Sequence, residues 1–421
     1  MALENGQYIS AYISEETTYG VPVAPTGANG LFIESLNFSD SPEYVQDPTK
    51  FSPYPDVFNE EEGHSNPSFE MVTGVPIAAA SNAVARTAFC TWLEAAMGEA
   101  LSSGSLPAYQ SGQAFVGLSG DTAYKFDANQ DPSRKSFVIW KKTRTGHEVG
   151  IGCVVTEVEF SFGLNQFARV TFRGLCKAWA KFEPGQLKTA LSGSSARTSI
   201  VLKDTVGMIG VGAVVKLQLG AGGNTDTGAI LITKAVKNTS DVTVTFASTT
   251  IGAASANNAI RDAMPAIVRT NRLVEHIFGD NIRMSLDGGA SVINKISSCT
   301  LTLRTGVQLF NEDNTDLSPT EAFQGKREVM LRATTVVDPD DLSLPRDAFY
   351  GSDQHVQILA GGITGAKDGG RLLLQCPKMR LRRNAPQTPA DRYSTFQVEG
   401  LARAQLTSGG TYTSPLTAYI R

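Results

Sequence analysis

The chain has 421 residues, 41% of them hydrophobic, with 37 basic and 41 acidic side chains and a formal net charge of −4. That length exceeds the ~100–200 residues of one domain, and the composition allows each of two or three units its own core. The near-neutral charge excludes a protein that grips free duplex DNA through a basic face, and no apolar run approaches the ~20 residues of a membrane span.

Period-two alternation of apolar and polar residues dominates the chain. Phe32–Ser39 puts Leu36 and Phe38 on one face and Ser35, Asn37 and Ser39 on the other. Ser68–Thr73 alternates Phe69 and Met71 with Ser68 and Glu70. A helix is predicted over Asn82–Met97, where Phe89, Trp92, Leu93, Ala96 and Met97 share one side. Ser81 or Asn82 caps its start and Gly98 follows its end. Strands are predicted at Ser136–Lys142, Val149–Phe162 and Gln166–Ala178, the last two joined by the tight connection Gly163-Leu-Asn165.

From Pro184 to Asp262 the composition shifts to Gly, Ala, Thr, Ser and Val, with strand-like runs at Thr198–Lys203, Ala213–Leu219, Gly228–Val236 and Asp241–Ala247. This stretch reads as a small inserted β module, facing outward and dispensable to the remainder. Strands then follow at Ser298–Arg304 and Glu328–Val336, a short helical stretch from Asp338 to Phe349, and strands at His355–Ala360, Arg371–Arg382 and Tyr393–Ala404. The order of strands and helix therefore occurs twice. The expectation is a mainly β chain of two tandem β-sandwich units, residues 1–183 and 263–421, each with a flanking helix, and a module over 184–262.

Two long loops, Asp40–Gly63 and Gly306–Gly325, follow the first strand of each half. Their length and irregularity mark them as surfaces for another molecule. Asp40, Glu60, Glu61 and Glu62 in the first and Asn311, Glu312 and Asp313 in the second are the candidate contacts.

No catalytic, metal or cofactor signature emerges. Gly207-x-x-Gly210-x-Gly212 has the wrong glycine order for a dinucleotide fingerprint and precedes a strand. His64, His147, His276 and His355 have no metal-ligand spacing. Glu157 and Glu159 share a strand face at about 6.6 Å, near glycosidase geometry, but no aromatic sugar platform accompanies them. They read as a polar lining, with Lys378, Arg380 and Arg382 as a basic counterpart. Cys90, Cys153, Cys176, Cys299 and Cys376 are odd in number, widely spaced and without a Cys-x-x-Cys pair. They read as buried thiols of a soluble protein made in a reducing cytoplasm, and Ala2–Gln7 does not resemble a signal peptide.

Gly279-Asp-Asn-Ile-Arg-Met-Ser-Leu-Asp-Gly288, Ile296-Ser-Ser-Cys-Thr-Leu-Thr-Leu303, a long loop and Gly325-Lys-Arg-Glu-Val-Met-Leu331 resemble the tail tube (major tail) proteins of long-tailed bacteriophages. The front half resembles the same plan through Glu34-Ser-Leu-Asn-Phe38, Asn66-Pro-Ser-Phe-Glu-Met71, Trp92-Leu-Glu-Ala-Ala-Met-Gly98 and the Glu157–Phe172 hairpin. The resemblance covers everything outside Pro184–Asp262 and is to the fused-duplicate form, in which three chains make a pseudo-sixfold ring.

It implies a non-enzymatic virion protein, made in the host cytoplasm. Its sheets would close around a lumen, and its rings would stack through the long loops. The implied partners are further copies of the chain, a tape measure protein in the lumen, the tail terminator and distal tail proteins, and DNA in transit, with no membrane and no cofactor. Glu70, Glu157, Glu159, Arg380 and Arg382 would line the lumen. Another phage structural component, such as a capsid decoration or fibre protein, is the alternative.

Overall fold

The computed structural model describes residues 9–40, 44–46, 60–62, 67–77, 88–97, 102–105, 122–128, 135–203, 209–220, 225–238, 241–268, 275–277, 282–286, 291–293, 296–310, 321–336, 353–361, 371–382, 395–406 and 412–420. The chain is mainly β, and its strands pair antiparallel. In the front half the strands are β1 (Ile9–Glu15), β2 (Gly30–Ile33), β3 (Ser35–Ser39), β4 (Ser68–Gly74), β5 (Phe137–Lys142), β6 (His147–Gly163), β7 (Arg169–Leu175) and β8 (Ala178–Phe182). In the back half they are β9 (Ile282–Leu286), β10 (Ser291–Ile293), β11 (Ile296–Arg304), β12 (Glu328–Val336), β13 (Asp353–Gly361), β14 (Arg371–Leu381), β15 (Thr395–Ala402) and β16 (Thr417–Ile420).

Each front strand has a back counterpart eight labels on, with the same partners. In front, β1 pairs β2 and β5, β5 pairs β6, β6 pairs β7 and β8, β7 pairs β4, and β4 pairs β3. Behind, β9 pairs β10 and β13, β13 pairs β14, β14 pairs β15 and β16, β15 pairs β12, and β12 pairs β11. Short matches in sequence fall on equivalent strands. Ser35-Leu-Asn-Phe-Ser39 and Ser298-Cys-Thr-Leu-Thr302 share their alternation, and Gly174-Leu-Cys-Lys-Ala178 and Gly400-Leu-Ala-Arg-Ala404 share Gly, Leu and Ala.

The halves are joined through backbone. Residues 157–163 of β6 pair with residues 298–304 of β11, so β3–β4–β7–β6–β11–β12–β15–β14 is one uninterrupted sheet. Alternation decides which face is dry. Met71, Val158, Phe160, Phe172, Leu301 and Leu303 are fully buried in a single hydrophobic core that runs through both halves. The helix α1 (Ala88–Met97) covers that core in front, with Trp92 tilted against Phe172 at 5.5 Å and edge-on to Phe69 at 6.2 Å. Lys135 Nζ holds it from the side through a 2.6 Å bond to the buried Glu94 carboxylate. The expected start of this helix, residues 82–87, and the whole of the expected second helix over 338–349 lie outside the described residues.

Two features cross the boundary between the expected units. The ribbon Ser102–Ser105/Thr122–Asp127 adds to β16, the last strand of the back half. Pro76–Ile77 pairs with Glu275–His276. The loops expected to be irregular also contain structure: Tyr44–Gln46 pairs Glu60–Glu62, and Val307–Phe310 pairs Glu321–Gln324. Both loops are therefore at least partly β-ribbons, because short antiparallel pairing satisfies backbone groups that an extended excursion would leave to water.

The module has its own sheet, ordered Gly185–Gln186, Ala259–Asp262, Val214–Leu219, Ile230–Lys237, Asp241–Ile251 and Ser195–Lys203, around its own apolar core. Beyond its own core, the module packs against the front half. Tyr12, Val138, Trp140, Val149 and Ile151 of the front half share a buried cluster with Val214 and with Met264 and Ile267 just beyond the module. Trp140 Nε1 donates to the Gly212 carbonyl at 3.0 Å. The fully buried His147 spans the junction, its Nδ1 2.7 Å from Asp262 Oδ1 and its Nε2 accepting the Val214 N–H at 3.1 Å. Removing the module would bare Trp140 and Val149 to water.

Candidate assembly surface

The eight-strand sheet presents one dry face and one polar face. On the polar face four charged residues stand in register across four strands: Glu70 on β4, Arg173 on β7, Glu157 on β6 and Arg304 on β11. Arg173 Nε donates to Glu70 at 2.7 Å and its Nη1 to Glu157 at 2.5 Å, while Arg304 Nε donates to the other oxygen of Glu157 at 2.8 Å. Glu159 stands 3.6 Å from Arg173, and Glu34 pairs Arg169 at 3.0 Å. The row therefore crosses the join between the halves, with Glu157 bridging an arginine from each.

At the equivalent positions behind, the signs are reversed. Arg332 on β12, Glu399 on β15 and Arg382 at the end of β14 make contacts of 3.9 and 3.7 Å. Acid–base–acid in front is answered by base–acid–base behind, so the polar face carries many charges and little net charge. Exposed ion pairs of this kind contribute little stability singly. Their effect is on register and on the field above the sheet.

Partial burial pushes the Glu157 carboxyl up, but the hydrogen bonds and charges of Arg304 and Arg173 outweigh it and hold it below the usual carboxylate range. A carboxylate held ionised between two guanidinium groups is a poor proton donor, which sets this pair apart from a glycosidase acid. Because the folded value is depressed, the stabilisation is full above the ordinary ~4.3 and is lost as pH falls through the folded value. Glu157→Gln should therefore lower the thermal midpoint at neutral pH, with the gap to wild type closing as pH falls below the ordinary carboxylate range. A gap independent of pH would remove Glu157 from the acid response.

The remaining expected site residues fall as follows. Glu70, Glu157 and Glu159 share the polar face of one continuous sheet. Arg380 and Arg382 are exposed beside the buried Met379 and Leu381. Asp40 is exposed at the end of β3, and Glu60, Glu61 and Glu62 form a strand of a ribbon. Asn311, Glu312 and Asp313 lie outside the described residues. Arg173, Arg304, Arg332 and Glu399 were not singled out from the sequence. The signal was available, since each is the charged residue in a polar slot of an alternating strand, but its partner is a non-local neighbour.

Edges complete the surface. The strand β11 is paired on both sides, by β12 and by β6, whereas its counterpart β3 pairs only β4 among the described strands. Among the described residues, the β3 end of the sheet therefore has one flank of backbone donors and acceptors without a paired strand. No family model matches the chain, and no curated protein matches it. No helix among the described residues is long and apolar enough to cross a membrane.

Proposed function

We propose that the chain is the tail tube subunit of a long-tailed bacteriophage, two tube units fused in one polypeptide and assembling by repetition of a contact it already makes internally. The observation that carries this reading is the β6–β11 pairing, which joins the end strand of one unit's run of the sheet, β3–β4–β7–β6, to that of the other, β11–β12–β15–β14. The same step between chains would bring the β3 edge of one copy to the Leu381–Arg382 end of β14 in another. Such a head-to-tail contact is heterologous and produces a ring when its rotation closes.

Three copies of an eight-strand sheet would give a barrel of roughly 24 strands, wide enough to leave an open lumen. The dry face and α1 lie outside that wall, and the sign-alternating polar face lies inside. A wall with many charges but little net field lets a polyanion such as DNA, or a tape measure protein, pass without being held. The loops Asp40–Gly63 and Gly306–Gly325 would reach the next ring, and the tail terminator and distal tail proteins would cap the stack.

Negative-stain microscopy of the purified protein tests this directly. Hollow filaments or rings of uniform width are expected. Particles that stay monomeric under all conditions, or that bind only to preformed capsids, would favour a decoration protein instead.

A further inference from the structure

Cys153 and Cys176 lie opposite one another across β6 and the chain that links β7 to β8. Pairing runs through the position without a change of register, from Val154 with Leu175 on one side to Ile151 with Ala178 on the other. Their Sγ atoms are 2.7 Å apart and both residues are buried. A bond needs the sulfurs to close further, to about 2.05 Å. The strand is bent here, at Gly152 with φ of 62°, and the Gly152 N–H is held by Glu16 Oε1 at 2.8 Å. Gly150 leaves the room above the pair, since a Cβ there would stand 2.7 Å from one sulfur and 3.0 Å from the other.

We propose that Cys153 and Cys176 are a disulfide-forming pair, oxidised by a small peroxide where β6 changes partners from β5 and β8 to β7 and β11. The thiolate of one cysteine attacks a peroxide oxygen, the O–O bond breaks, and a sulfenic acid and water result. The second sulfur then attacks the sulfenic sulfur, its proton leaves with the departing hydroxide as a second water, and the S–S bond forms. Two thiols and one hydrogen peroxide thus yield one disulfide and two waters. Burial, more than any neighbour, pushes the Cys153 thiol well above its ordinary value. The thiolate is scarce, so the reaction in the folded chain is slow, on the order of hours. The product would tie the two strands together at the bend.

The test treats the purified full-length protein with hydrogen peroxide, then denatures, alkylates and digests it. The expected result is a mass loss of about 2 Da, two hydrogens, with Cys90, Cys299 and Cys376 alkylated and the peptides of Cys153 and Cys176 joined. The thermal midpoint should rise by several degrees and return on reduction, while Cys153→Ser shows no response to peroxide. Alkylation of all five cysteines after treatment, sulfinic acid at either position, or a bond to any other cysteine would overturn the proposal. Its outcome is independent of whether the protein forms tubes.

Discussion

Proline at Asn37 and proline at Phe38 are expected to separate folding from assembly. Both residues lie in β3, paired to Glu70 and Phe69 of β4 on one side and, among the described residues, to no strand on the other. Successive residues of a strand send their N–H and C=O groups to opposite sides, so one of the two serves the internal ladder and the other the open edge. Proline removes the donor wherever it is placed. On the internal side it leaves a buried carbonyl without its partner, costing about 1–3 kcal/mol, and the variant should unfold at lower temperature. On the open side the monomer should fold with an unchanged midpoint yet fail to form rings, because the ladder of the joining strand is interrupted. Size-exclusion chromatography with microscopy of the two variants separates these outcomes. If both assemble normally, β3 is not the joining edge.

Gly174→Ala is expected to damage the fold far more than Gly400→Ala, although the two glycines hold equivalent places on β7 and β15. A Cβ on Gly174 would run into the backbone carbonyl of Val154 and the ring of Phe69, itself pinned against Trp92. Neither the carbonyl nor the ring can yield without moving β6 or α1. Overpacking against backbone should cost about 3 kcal/mol or more. A Cβ on Gly400 meets the thioether of Met379 at 2.5 Å and Leu381 at 3.3 Å. Methionine is unbranched and repacks readily, so Gly400→Ala should cost below about 1 kcal/mol. Urea midpoints of the two variants check this. Equal losses would mean that the two positions are packed alike, against the geometry.

Much of the sheet was legible because alternation is local. Glu328–Val336 was read to the residue, and Ser298–Arg304 and Ser136–Lys142 to within two. What alternation cannot convey is partnership. Val149–Phe162 reads as one strand, and it is one, but nothing local says that its first part pairs β5 and β8 while its second pairs β7 and β11. Gly152 marks the change, and a glycine inside an apolar strand is the signal that deserved weight. The ribbon Ser102–Ser105/Thr122–Asp127 went unread because Ser-Ser-Gly-Ser has no apolar residue to show a period, and the alternation of Tyr124 and Phe126 with Lys125 and Asp127 is too short to stand out alone. On the polar face Glu70, Glu157 and Glu159 were found as members of alternating strands. The arginines that clasp Glu157 come from β7 and β11, and only the fold brings them together.

The place of β16 bears on the order in which the molecule is made. Thr417 Oγ1 bonds the Asp127 carboxylate, 290 residues earlier in the chain, and β16 lies between β14 and the Thr122–Asp127 strand. A ribosome adding about 5–20 residues per second needs roughly 15–60 s to deliver the second partner after the first has emerged. Throughout that interval the Thr122–Asp127 edge is without the strand that covers it, and so is the flank of β14 as soon as it exists. Sequence-distant pairing of this kind is slow to form and exposed to wrong partners meanwhile. Nascent chains crowded on one message would be most at risk of pairing with each other there, so the closing strand sets how fast the protein can be produced without aggregating.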